Sequence, residues 1–112
     1  VTSRFHVVET TWPLILLRFP RVVDAEAVSG LIDSFDRALE RKSRFVSVLD
    51  GTEIARLPGP EERQRLVSWM SDESRQERER KLSVAAAVVV PSGLVRAFVA
   101  AIYFVRKPIA PQ

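Results

Sequence analysis

Apolar positions along the chain fall into two periodicities, and their order predicts an alternating α/β fold. Arg4-Phe5-His6-Val7-Val8 is short and rich in strand formers, and Glu9-Thr10-Thr11-Trp12-Pro13 follows as a turn. Leu14 to Phe19 reads as a second strand, stopped by Pro20, so the chain opens on a hairpin. Then the period changes. Val28, Leu31, Ile32, Phe35 and Leu39 recur at helical spacing behind Asp24, a good N-cap, with Glu26 in the first turn where the helix dipole favours negative charge. Asp33, Asp36, Arg37, Glu40 and Arg41 cover the other faces, and the helix ends near Lys42.

Arg44 to Asp50 is apolar at both alternating sets of positions, as a central strand covered on both sides would be. Gly51 breaks it. Pro58-Gly59-Pro60 makes a stiff turn, with Pro60 suited to the first position of a second helix, Glu61 and Glu62 behind it, and Leu66, Val67, Trp69 and Met70 as its buried side. Residues 71–81 contain no apolar side chain, but Glu73 with Glu77, and Glu77 with Lys81, stand at helical neighbour spacing; the stretch reads as a solvated helical extension. Leu82 to Val90 reads as a third buried strand ended by Pro91. Ser92 caps a last helix running from Gly93 towards Val105, apolar nearly all round, which is either buried on two sides or an interface. The expected architecture is therefore α/β: a small, mostly parallel or mixed four-stranded sheet with three helices.

At 112 residues this is one domain with one core, spanning 1–112. There are no cysteines, which excludes a disulfide framework and thiolate metal sites. Net charge is +3 and the basic residues are interspersed with acidic ones, so the surface is a mixed solvated one and no nucleic-acid partner is expected. The longest apolar run, Ala97 to Val105, would rise about 13 Å as a helix against a bilayer core of about 30 Å, so no membrane span is expected. No signal-peptide order opens the chain, and it reads as cytoplasmic.

Chemistry is sparse. His6 is the lone histidine, with no nucleophile motif near it, and a two-histidine metal site is impossible. Glycines stand singly at 30, 51, 59 and 93, so no phosphate-cradling loop is present, and no cofactor is expected. Two places stand out. Ser92 and Gly93, with Arg96 one turn in, offer free N–H groups to an anion, or else simply cap a helix. Asp50-Gly51-Thr52 sits at the carboxyl end of a central strand, where open α/β sheets present binding groups; the same residues also suit a plain turn. No catalytic residues emerge, so the domain is expected to work by binding.

The segments Phe45-Val46-Ser47-Val48-Leu49-Asp50-Gly51-Thr52, Ala85 to Arg96 and Ala100 to Pro108 resemble the STAS superfamily of anti-sigma-factor antagonists, in particular its SpoIIAA-like branch. The resemblance implies a regulatory or scaffolding domain of bacterial signalling that acts through protein contacts. The loop from Asp50 to Pro60, with Asp50, Thr52, Glu53 and Arg56, the first turn of the second helix and the apolar last helix are the expected contact surface, and the apolar last helix also makes a homodimer an expectation. It also implies an alternative, carriage of a small apolar or anionic, lipid-like ligand. Arg56-Leu57-Pro58-Gly59-Pro60 lacks a hydroxyl where phospho-regulated members carry one at the start of the second helix, and Thr52 is the nearest substitute. The family usually adds a further strand and helix, so the resemblance implies a longer natural chain.

Overall fold

The order of strands in the sheet is the order of strands in the chain, β1-β2-β3-β4. A computed structural model describes residues 4–89 together with Gly93. Strand β1 (His6–Val8) pairs antiparallel with β2 (Leu14–Arg18); β3 (Phe45–Asp50) lies parallel to β2, and β4 (Ser83–Val89) parallel to β3. Helices α1 (Ala25–Glu40), α2 (Pro60–Met70) and α3 (Glu73–Leu82) fill the connections. This is the α/β fold with a mixed four-stranded sheet and three helices that the periodicities predict. The last helix expected from the sequence, with Ser92 and Arg96, lies outside the described residues.

One face of the sheet carries the core. Ile15 and Leu17 of β2 and Phe45 of β3 are buried against Val28, Leu31, Phe35 and Leu39 of α1 and Leu66 of α2. The period-two alternation of strands sends Leu14, Leu16, Val46 and Val48 to the opposite face, and these are exposed or half-buried. β3 is thus central in its pairing, but among the described residues it is covered on one side only. Asp24 caps α1 by accepting from the Ala27 N–H at 3.0 Å; the helix ends at Glu40 with Arg41 as its C-cap, and Lys42 beyond it, with a φ of 57°, turns the chain away.

Two expectations need correcting. Residues 71–81 are not a solvated extension of α2: the chain breaks at Ser71, Asp72 caps a new helix by accepting from Arg75 N–H, and Arg75 and Glu79 are buried. Arg75 lies over the Trp69 ring and donates to Glu79, so the helix is tied to α2 by a guanidinium rather than by an apolar stripe. The second correction is β4. It forms an edge of the described sheet, and Val84 to Ala87 and Val89 are exposed rather than buried. Among the described residues, no helix is long and apolar enough to cross a membrane.

Candidate functional site

The carboxyl ends of β2 and β3 meet at one row of side chains. Strand register places His6, Arg18, Asp50 and Val89 side by side across the sheet. Arg18 and Asp50 are the last residues of their strands, and parallel pairing brings them together although 32 positions separate them in the chain.

Asp50 is the hub. Its Oδ2 accepts from Arg18 Nε at 3.1 Å, and its Oδ1 accepts from both the backbone N–H of Thr52 at 3.0 Å and the Thr52 hydroxyl at 2.7 Å. The Thr52 hydroxyl and then the Thr52 amide hold the Asp50 carboxyl below its ordinary range; desolvation opposes them, and the hydrogen bond and charge of Arg18 add lesser lowering effects. A carboxylate with lowered proton affinity is a weaker base, and the two Thr52–Asp50 bonds close a turn directly after β3.

The loop that follows is stitched down through its backbone. Ile54 N–H donates to Gly51 O, and the N–H groups of Ala55 and Arg56 both donate to Arg21 O, at 2.7 and 2.9 Å. Val23 N–H returns a bond to Arg56 O at 3.1 Å, within a parallel bridge between Val22 and Arg56. Arg63 of α2 reaches back to Pro58 O at 3.3 Å. The 51–59 loop and the 19–24 loop thereby form one ledge at the carboxyl end of the sheet. Thr52 and Arg56 are exposed on it and Glu53 is half-buried.

Of the residues singled out from sequence, Asp50 and Thr52 are in direct contact, and Glu53 and Arg56 lie on the same loop. Ser92 and Arg96 lie outside the described residues, and Gly93 is exposed. Sequence reasoning missed Arg18 and Arg21. Arg18 carried a signal, as the one charged residue of β2; Arg21 acts through its carbonyl, which no residue type announces. Among the described residues, no three His, Asp or Glu side chains gather as a metal ion would require.

Comparison with protein families, curated proteins and solved structures gives no match.

Proposed function

We propose that this is a regulatory or scaffolding domain acting through protein contacts, with the 51–59 ledge as its contact surface. The observation that carries the reading is the pair of hydrogen bonds from the Ala55 and Arg56 amides to Arg21 O, beside the Asp50–Thr52 turn. A loop already held by its own backbone presents Thr52, Glu53 and Arg56 at little further ordering cost, which favours binding. The poor basicity of Asp50 supports a non-catalytic role. The resemblance to the anti-sigma-factor antagonists supports a setting in bacterial signalling in the cytoplasm.

Capture from native extract at low and high salt tests this. A discrete protein retained by the wild type at high salt and lost by Arg56→Glu or Glu53→Arg, with unchanged circular dichroism, is the expected result. Recovery of nucleic acid alone, released as salt rises, would remove the reading.

A second reading, carriage of a small apolar ligand, is favoured by the sheet face opposite α1, where Leu14 is exposed and Leu16, Val46 and Val48 are half-buried. Native mass spectrometry of the purified protein decides it: a stoichiometric adduct supports carriage, and bare protein argues against it.

A further inference from the structure

Asp50 is followed by Gly51, the neighbour that gives an aspartate its easiest route to a rearranged main chain, because glycine has no Cβ to crowd the approach. The Gly51 nitrogen can attack Asp50 Cγ and close a five-membered imide. The new N–Cγ bond forms as the carboxyl hydroxyl leaves with the amide proton as water. Water then opens the ring at one of its two carbonyls. Opening at Cγ restores aspartate, and opening at the main-chain carbon leaves the chain running through the side chain, an isoaspartyl linkage. One water is lost and one regained, and nothing is oxidised or reduced.

Ring closure needs a free Gly51 nitrogen and a mobile, neutral carboxyl, and the folded sheet opposes each of these. Gly51 is buried, and its N–H donates to Val89 O at 2.8 Å. Both oxygens of the Asp50 carboxyl are anchored, Oδ2 by Arg18 Nε at 3.1 Å and Oδ1 by the Thr52 amide and hydroxyl at 3.0 and 2.7 Å. The same bonds favour the ionised form, which has no hydroxyl to lose as water. Arg18, Asp50 and Val89 come from three strands and meet in one row of the sheet, so the restraint depends on tertiary pairing.

We propose that Asp50–Gly51 is an isomerisation site held closed by the folded sheet. The Gly51–Val89 bond and the anchoring of the carboxyl by Arg18 and Thr52 hold back ring closure, and parting of β3 from β4 releases it. The product has one more atom in its main chain at the end of β3. That displaces Gly51 and Thr52 from their register, so a chain that rearranges while open does not regain the same sheet. The proposal does not depend on what the ledge binds.

The test incubates the full chain at neutral pH, folded or unfolded in urea, and reads the tryptic peptide Phe45–Arg56, in which Asp50 is the sole aspartate. Electron-transfer fragmentation distinguishes the isoaspartyl form, whose mass is unchanged. The unfolded chain is expected to accumulate it, and the folded chain at least about tenfold more slowly, since only the open fraction reacts. Thr52→Val combined with Arg18→Leu is expected to speed the folded reaction at unchanged circular dichroism, whereas Thr52→Ser, which keeps the hydroxyl, stays slow. A second measurement needs no substitution: in mild denaturant, isoaspartate formation should rise in step with hydrogen exchange at the Gly51 amide. Equal rates in the folded and unfolded chain, no product in the unfolded chain, a folded double variant as slow as the wild type, or a rate indifferent to Gly51 exchange would each overturn the proposal.

Discussion

The guanidinium carbon of Arg75 lies 3.7 Å from the ring centroid of Trp69, and the same guanidinium donates to Glu79 Oε2 at 3.0 Å. The indole in turn donates from Nε1 to Asp36 of α1 at 3.3 Å. One arginine thus joins α3 to α2, and through Trp69 to α1. Breaking a buried ion pair from one side leaves an uncompensated charge, so Glu79→Ala is expected to lose about 3 kcal/mol in urea unfolding. Replacing both, Arg75→Met with Glu79→Leu, is expected to cost much less than either single truncation.

Gly30 lies inside α1 beneath the ring of Phe5, and an added Cβ would come 2.5 Å from Phe5 Cδ2 and 2.9 Å from Cγ. Alanine is worth about 1 kcal/mol over glycine in a helix interior, but here it must displace a ring packed edge-on against Phe19. Gly30→Ala should therefore destabilise the wild type and stabilise a Phe5→Ala background. A double-mutant cycle by thermal unfolding checks this change of sign.

Ser47 is fully buried on β3, and its hydroxyl has no hydrogen-bond partner among the described residues. Ser47→Ala removes a desolvated polar group and leaves little void. It is expected to be neutral or to stabilise by about 1 kcal/mol in denaturant titration.

Asp50 gives a pH dependence with a defined sign. Its folded carboxyl titrates below the unfolded value, so its contribution to stability is complete above the unfolded value and is lost as pH falls through the folded one. Thr52→Ala removes the largest cause of that lowering. An NMR titration of the Asp50 carboxyl should move upward in this variant, and acid unfolding should begin at higher pH.

Local order was legible in the sequence and long-range pairing was not. The stripe of α1 and its Asp24 cap are recorded in residues a few positions apart, and the structure places them as expected. β4 misled because an unbroken apolar run is equally compatible with the middle of a sheet and with its edge; only pairing distinguishes them. Arg75 and Glu79 misled for a related reason. At four-residue spacing they look like any surface ion pair, and the ring that covers Arg75 belongs to the preceding helix. Of the ledge, Asp50 and Thr52 could be read because their contact is local, whereas Arg18 enters only through the register of β2 on β3.

A sheet whose spatial order repeats its chain order has a consequence for how it is made. Each strand, on leaving the ribosome, finds its neighbour already synthesised and waiting at the growing margin, so no segment has to be held open for a later arrival. Assembly can proceed in one direction from the opening hairpin, with every new strand as both the latest addition and the next template.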